Sequence, residues 1–419
     1  MISIIKFLVK LLIVLFLAFF FRGLIEITSS TLNNELLMLT KDMLTVLTMW
    51  IALFNFIVSP FSKVHKSNII FLTFTMIFLR GAFQRCSLLR FYFFFELSIL
   101  PVLFLILGWG YQPERFLAAI FIVFYTLLGS LPLFLIIIFI SEEGGSVSTF
   151  SMLRSLSDFK RVETLTLISA FLIKLPFYLV HMWLPKAHVE APVTGSIILA
   201  GLILKLGGLG IILVRCLPLR QGGFFHIIIS VSVFGGIMIA FIICRMTDIK
   251  VIIAYSSVAH MSLVAVGTVA HSRIRIPAVL LLIVCHGFTS PGIFAGANII
   301  YERSHSRSTL LNKGLLNTIP AFTTAWFFLI VLNFGGPFTA NLLSEILLIR
   351  VAVFTSEFFM LILGGIAFFS LAYNLVLYAS LNQGVNSNSL FIHKTATREI
   401  LILVSLSLPA LLLLIGWQP

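Results

Sequence analysis

The sequence predicts an all-α polytopic membrane protein with about thirteen transmembrane helices. Hydrophobic residues make up 60% of the 419 residues and charged residues only 10%, whereas a soluble globular protein has about 45–50% and about 25%. The mean hydropathy is +1.13, which excludes an ordinary water-soluble enzyme. Backbone amides in lipid must bond within their own segment, and these apolar runs are far longer than barrel strands, so the crossings are helices.

Thirteen apolar runs within one continuous domain, residues 1–419, are long enough to be crossings. In chain order they span Ile2 to Phe21, Glu35 to Val58, Asn68 to Phe83, Leu88 to Leu107, Phe116 to Ile140, Leu165 to Trp183, Val193 to Val214, Phe224 to Cys244, Val251 to Ala270, Ile276 to Ile300, Ile319 to Ile349, Phe358 to Leu381 and Ile400 to Trp417. The first resembles a signal peptide, but no small-residue cleavage motif follows it, so we expect an uncleaved helix. No connection between crossings is large enough to bind a nucleotide.

Two of the segments contain residues that interrupt a helix. Pro176 removes a backbone hydrogen bond near the middle of the sixth segment. The eleventh is too long for one crossing and contains Asn333-Phe-Gly-Gly-Pro337. A lone proline is tolerated in membrane helices as a simple kink, whereas broken helices in transporters direct half-helix ends at ions near the midplane. A charged residue near each break favours the second interpretation.

Four charged residues lie away from the segment ends. Glu96, Lys174 and Lys205 are near the middle of their segments, and Glu345 follows the interruption of the eleventh. A charge at the bilayer centre costs ~2.5–3.5 kcal/mol on insertion scales. These charges either neutralise one another and lock helices together or relay protons. Two lysines on consecutive antiparallel helices favour a relay. Each ammonium is destabilised by the other and stabilised by the nearby carboxylate, so a modest change in geometry can add or remove a proton.

Histidines extend this series. His260 and His286 are central in consecutive segments between Lys205 and Glu345, and two at the same depth fit a lateral chain of protonatable groups, although a single buried histidine is commonly structural. His181 and His188 lie near a helix end, where proton input and a structural hydrogen bond are equally consistent. The histidines expected in loops are His65, His271, His305 and His393.

The sequence argues against redox, metal and nucleic-acid chemistry on this chain. The four cysteines, Cys86, Cys216, Cys244 and Cys285, are too far apart in sequence for iron–sulfur or zinc sites. No G-x-G-x-x-G, P-loop or HExxH motif is present. The net charge of +13 comes from basic residues placed singly between apolar runs, as topology signals are. We therefore expect no cofactor, no metal and no nucleic-acid partner.

Several stretches together resemble one family. The longest, KLPFYLVHMWLPKAHVEAP from Lys174 to Pro192, is followed by GSIILAGLILKLGGLG. Supporting stretches between about Glu35 and Ser380 are FELSILP, WGYQPERFLAA, FYTLLGSLPL, RMTDIKVIIAYSSVAHMSL, HGFTSPGIF and YERSHSR. They are similar to the chain 4 family of mitochondrial NADH:ubiquinone oxidoreductase, respiratory complex I, whose members resemble half of a cation/proton antiporter.

The resemblance implies two inverted five-helix repeats, and here we expect a broken helix in each. We expect N-terminal helices over residues 1–83, the first repeat over 88–214, the second over 224–381 and a C-terminal helix over 398–419. The implied relay residues are Glu96 and Lys174 as the first-repeat ion pair, Lys205 as the bridge between half-channels, Glu345 in the second repeat, and His260 and His286 on the central axis.

The sequence departs from the family pattern in places. Members usually have fourteen crossings, and an absent first helix would account for the thirteen found here. GGPFTANLLSE replaces the more usual proline pair and Gly-Glu before the second-repeat acid, Glu345, and Pro291 lies in an unusual TSPG.

The leading interpretation is a proton-translocating core subunit of the membrane arm, in the mitochondrial inner membrane. NADH, flavin, iron–sulfur clusters and ubiquinone are then expected on other subunits. Its partners would be other membrane-arm chains, including the related chains 2 and 5, accessory subunits and phospholipid. A subunit of a related Na⁺/H⁺ antiporter is the alternative, with the same residues and a different driving force. A structural membrane scaffold, with buried charges that only pair helices, is a third.

Overall fold

A computed structural model describes residues 33–58, 66–84, 87–144, 161–214, 223–270, 272, 274–384 and 396–415. Within these ranges the chain is helical, and β-structure is limited to one bridge between Asp248 and Ser308. The α-helices are α1 (Asn33–Val58), α2 (Lys66–Gln84), α3 (Leu88–Leu97), α4 (Ile99–Trp109), α5 (Arg115–Gly144), α6 (Arg161–Lys174), α7 (Trp183–Glu190), α8 (Val193–Ile198), α9 (Leu204–Val214), α10 (Gly223–Ile243), α11 (Ile249–Val269), α12 (Arg275–Ser304), α13 (Leu315–Thr318), α14 (Pro320–Asn333), α15 (Ala340–Val353), α16 (Phe358–Asn382) and α17 (Thr397–Ile415).

These helices confirm the all-α membrane prediction. Every predicted segment from the second to the thirteenth is helical. In the described ranges, nine helices are long and apolar enough to cross a membrane, and shorter apolar helices cover Asn68–Gln84, Thr164–Lys174 and Pro320–Asn333. The first predicted segment, Ile2 to Phe21, lies outside the described residues, as do His65, His271 and His393.

The sixth segment is broken, as predicted. Helix α6 ends at Lys174 because the residue before a proline, here Pro176, is disfavoured in a helix. The chain then makes a 3₁₀ turn over Tyr178–Val180 and resumes as α7. The predicted segment ended at Trp183, whereas the second half-helix begins there and continues to Glu190. The break therefore leaves Lys174 on the last turn of a half-helix.

The eleventh segment is broken between α14 and α15. Gly335 in this break has φ +67°, a left-handed conformation that glycine adopts without strain. The Thr339 side chain accepts a hydrogen bond from the Leu342 N–H and so caps the start of α15. Glu345 lies on the second turn of the half-helix that begins here.

Two further irregularities were not predicted, and each adjoins a charged residue. A turn at Ser98 separates α3 from α4, two residues after Glu96. A π-helical stretch, Leu199–Ile203, joins α8 to α9 immediately before Lys205. π-helical turns inside α-helices are frequent at functional sites. The crossings that carry Glu96 and Lys205 are therefore both distorted.

The two predicted repeats contain different numbers of crossings. Residues 224–381 contain five, formed by α10, α11, α12, the broken pair α14–α15, and α16. Residues 88–214 contain four, formed by α3–α4, α5, the broken pair α6–α7, and α8–α9. A five-crossing first half is reached when α2 is included. The repeat boundaries that the sequence predicts, at residues 88 and 224, stay predictions.

The most deeply buried helices carry the predicted central residues. On α12, every residue from Ala278 to Ile300 is buried, and on α9 every residue is buried. Helix α11 packs against α12 and carries His260. Exposed apolar side chains cover the outside of the bundle, as expected for a surface in contact with lipid.

Close packing of α6 against α9 predicts that Gly207 is essential for stability. A Cβ atom added there would lie 2.8 Å from both the Leu175 N and the Phe171 O backbone atoms, so two backbones would have to separate. We expect Gly207→Ala to destabilise the protein by about 1–3 kcal/mol, as overpacking does. Gly364→Ala is the control, because nothing lies within 4 Å of its added Cβ. Equal melting temperatures of the two variants in detergent would contradict this expectation.

Candidate functional site

At the first break, Lys174 contacts the end of helix α3. Its ammonium donates to the Phe95 carbonyl at 2.6 Å and lies 3.0 Å from the centre of the Phe95 ring. The Lys174 side chain is 1% exposed. Carbonyls at a helix C-terminus carry partial negative charge and favour a cation, and an aromatic face does the same. The α3 end therefore forms a binding pocket for this ammonium.

Glu96 is adjacent in sequence to the residue that binds Lys174. Its carboxylate interacts electrostatically with the Lys174 ammonium and lies near the Ser130 side chain of α5. The buried Oε1 atom of Glu96 has no hydrogen-bond partner among the described residues. Among the described residues, no Glu96–Lys174 ion pair lies within 4 Å: the ammonium bonds to the backbone carbonyl of Phe95 and interacts electrostatically with the neighbouring carboxylate.

Lys205 lies on α9 and is completely buried. Its Nζ donates to the Ala200 carbonyl of the π-helical stretch at 2.6 Å and lies 2.7 Å from His286 Nδ1. A charged lysine can only donate, so this contact requires the His286 ring proton on Nε2. Because the two nitrogens are already at hydrogen-bond distance, a proton can move from the lysine to the histidine without movement of the backbone.

His260 joins His286 to the second break. The two rings are 5.5 Å apart between centroids, and both histidines are buried. On its other side, His260 Nδ1 lies 3.4 Å from Glu345 Oε1. Neither His260 Nε2 nor His286 Nε2 has a hydrogen-bond partner within the described ranges. Lys205, His286, His260 and Glu345 thus form one continuous row of titratable side chains.

Asparagines surround the carboxylate end of this row. The Asn341 side-chain amide donates to the Asn333 carbonyl at 3.0 Å and to Glu345 Oε1 at 3.1 Å. Asn333 in turn donates to Asn374 Oδ1 at 3.1 Å. The buried Tyr373 hydroxyl interacts electrostatically with Glu345. These side chains hold the two half-helices and α16 together at the break.

The two histidines predicted near proton input lie in different surroundings. His181 bonds through Nδ1 to the Tyr178 carbonyl, and its ring is 6.0 Å from that of Tyr255. His188 stacks on Phe294 with centroids 4.4 Å apart, and both of its ring nitrogens lack a partner in the described part of the chain. The buried ring of His188 interacts electrostatically with Lys205 and His286. His181 packs beside the rings of Tyr178 and Tyr255.

A cavity of about 310 Å³ opens between α5, α7 and α11. Its polar lining consists of Glu114, Lys186, Glu190 and Tyr255. Glu190 is 4% exposed, and its carboxyl interacts electrostatically with Arg307. Tyr255, which lines the cavity, also contacts His181, one of the predicted input residues.

Sequence reasoning found the charged and histidine members of the site but missed its supporting residues. Asn341 precedes Glu345 by four residues on α15, a spacing that places two side chains on one helix face and was a usable signal. Tyr373 and Phe95 reach the site from other helices, and no local pattern marks them. Among the described residues, no group of three or more His, Cys, Asp or Glu side chains is arranged to hold a metal ion.

The chain is similar in sequence to a family of membrane proteins and to individual members of it. Residues 86–370 match the family described as NADH:quinone oxidoreductase/Mrp antiporter, TM. The NADH-ubiquinone oxidoreductase chain 4 of Ceratitis capitata is 48% identical over 310 residues, covering 74% of this chain and 69% of that protein. The chain 4 of Polypterus ornatipinnis is 38% identical over 410 residues, covering 92% and 89%.

A solved structure shows the same fold. Respiratory complex I from Thermus thermophilus with bound NADH contains a chain that matches with a TM-score of 0.78 at 22% identity, covering 91% of this chain and 80% of that one. At this identity, the likeness concerns the arrangement of helices.

Proposed function

Because the chain belongs to the NADH:quinone oxidoreductase/Mrp antiporter family, and within it to the chain 4 group, we propose that it is a membrane-arm subunit of NADH:ubiquinone oxidoreductase that translocates protons. The proposal rests above all on one observation, the row Lys205–His286–His260–Glu345, which is buried and ends at a helix break. A structural scaffold needs opposite charges in pairs. This row instead places two imidazole rings, which can take up and release protons, between the ammonium and the carboxylate.

The proposed transfer moves a proton between neighbouring atoms. The Lys205 ammonium gives a proton to His286 Nδ1 across 2.7 Å, and the ring releases its own proton from Nε2. That proton reaches His260 by ring reorientation or through a bridging water, since the ring centres are 5.5 Å apart. His260 then passes a proton from Nδ1 to Glu345 Oε1 across 3.4 Å. Lys205 then has one proton fewer and Glu345 one proton more, while each histidine keeps one ring proton, now on its other nitrogen.

Lys174 and Glu96 act on this row through charge. The broken helix α6 carries Lys174 to the α3 end, and α6 packs on α9, which carries Lys205. A change in the Glu96–Lys174 separation alters the field at Lys205, and like charges in a low-dielectric interior interact strongly. We propose that this pair couples conformational changes of the assembly to release of the Lys205 proton.

We propose that protons enter the protein through the cavity beside α7. It is bordered by Glu190 and Tyr255, and Tyr255 contacts His181. We propose that His181 is the input residue and that His188, with its ring stacked on Phe294, supports the half-helix. His181→Phe keeps an aromatic ring at this position but cannot carry a proton, so we expect slower proton uptake with assembly preserved. Uptake at the unmodified rate would exclude this entry point.

The chain is a membrane protein related to animal chain 4 proteins. We propose that it resides in the mitochondrial inner membrane with other membrane-arm subunits, including the related chains 2 and 5, accessory subunits and phospholipid. The experiment that tests the function is native electrophoresis of solubilised membranes. We expect this chain to comigrate with an assembly that oxidises NADH and reduces quinone. Comigration with a sodium-dependent antiporter that lacks this activity would support the alternative.

Redox cofactors are proposed to lie on the other subunits. The sequence has neither a nucleotide-binding motif nor clustered cysteines. We therefore expect the purified intact chain to show no flavin, haem or iron–sulfur absorbance. The same spectrum recorded on the whole assembly is the positive control. A stoichiometric cofactor retained by the purified chain would overturn this assignment.

A further inference from the structure

We propose that Asn341 is a positioning residue that fixes the Glu345 carboxylate for proton exchange with His260, an inference that rests on the proposed function. The Asn341 amide reaches two acceptors on opposite sides of the second helix break. It donates to the Asn333 carbonyl, at the end of α14, and to Glu345 Oε1, on α15. A single side chain thus links the two half-helices to the proton-carrying group.

The oxygen that Asn341 holds is the one that faces His260. Glu345 Oε1 lies 3.1 Å from Asn341 Nδ2 and 3.4 Å from His260 Nδ1. An amide nitrogen only donates and does not take up a proton at neutral pH, so it orients the carboxyl without competing for the proton. Glu345 Oε1 therefore accepts a hydrogen bond from Asn341 and exchanges its proton with His260, the other group that approaches this oxygen.

The second oxygen is confined by the break itself. Glu345 Oε2 would lie 3.1 Å from a Cβ added at Gly335, so the bare glycine backbone forms the wall behind the carboxylate. The terminal torsion of a glutamate side chain is broad and roughly two-fold, so a carboxylate without a fixed donor rotates readily. Asn341 on one side and Gly335 on the other restrict that rotation.

This arrangement ties the carboxylate to the geometry of the break. Asn341 is 3% exposed, and its backbone lies in the first turn of α15, just after the capping residue Thr339. A shift of α14 relative to α15 must therefore stretch the Asn341–Asn333 bond, the Asn341–Glu345 bond or both. We infer that conformational change at the break alters proton exchange through Asn341.

The test compares Asn341→Leu with Asn298→Leu in the assembled complex. Asn298 makes the same contact elsewhere: its amide donates to Glu302 Oε1 at 2.6 Å, four residues on, at the end of α12. We expect Asn341→Leu to lower proton flux per assembled complex about tenfold to a hundredfold, as misplacement of a reacting group does. Asn298→Leu should leave flux per complex unchanged.

Infrared difference spectroscopy separates positioning from a structural role. The band of the protonated Glu345 carboxyl is the one that disappears in Glu345→Gln, and Asn341→Leu should shift it, whereas Asn298→Leu should not. Asn341→Asp, which keeps the shape but replaces the donor nitrogen, is the second variant in case leucine prevents assembly, and it should also shift the band. An unshifted band with normal flux, or failure of both Asn341 variants to assemble, overturns the inference. Normal flux in Glu345→Gln would instead contradict the proposed function.

Discussion

Replacement of Lys174 with alanine is expected to reduce NADH-driven proton pumping sharply while the complex still assembles. The side chain is buried at 1% exposure and bonds to the Phe95 carbonyl beside Glu96. Its loss leaves the Glu96 carboxylate without a nearby cation in a low-dielectric region, where an uncompensated charge is costly. Glu96 then retains a proton and no longer responds to its partner. Proton flux and subunit content measured in the same membranes give the result.

Lys250→Ala is the matched control for this prediction. Lys250 is also buried, at 3% exposure, but its ammonium donates to the Val189 and Ala191 carbonyls at one end of the bundle. Its loss removes hydrogen bonds between helix ends, so we expect fewer assembled complexes with normal flux in each. If Lys174→Ala pumps normally in an assembled complex, Lys174 has no part in the relay.

Much of this site could be predicted because charge in an apolar segment is conspicuous. Glu96, Lys174, Lys205 and Glu345 stand out from their neighbours, and two of them adjoin residues that break helices. An unpaired ionisable group inside a membrane crossing costs free energy, so a charged residue there indicates a function or a buried partner. The helix positions follow from the same constraint, as each crossing needs about 20 apolar residues.

The contacts between these residues could not be predicted from local patterns. Lys174 bonds to Phe95 and Lys205 to His286, and in each case the partners are about 80 positions apart in the chain. Which carbonyl receives an ammonium depends on how helices pack, and the sequence gives only their order. The turn at Ser98 was missed for a similar reason, because no proline precedes it and Pro101 falls within the first turn of the next helix, where proline is tolerated.

Replacement of Glu345 with glutamine is expected to stop proton transfer while the fold survives. Glutamine keeps the size of the side chain and an oxygen able to accept from Asn341, whose amide lies 3.1 Å from Glu345 Oε1. It cannot take a proton from His260, so the row ending at this residue has no acceptor. We expect near-complete loss of flux through this subunit with normal subunit content. Flux and content are again measured in the same membranes.

Glu302→Gln separates this outcome from the general effect of a glutamine substitution. Glu302, like Glu345, accepts from an asparagine four residues before it, but it lies exposed at the end of α12. We expect the complex with Glu302→Gln to pump protons at the normal rate. If Glu345 instead serves only to neutralise a buried basic partner, its replacement would leave that partner unpaired and cost on the order of 3–5 kcal/mol. Assembly would then be lost first, with unchanged flux per remaining complex, and the carrier role would be refuted. The two roles therefore differ in whether transport or folding fails first.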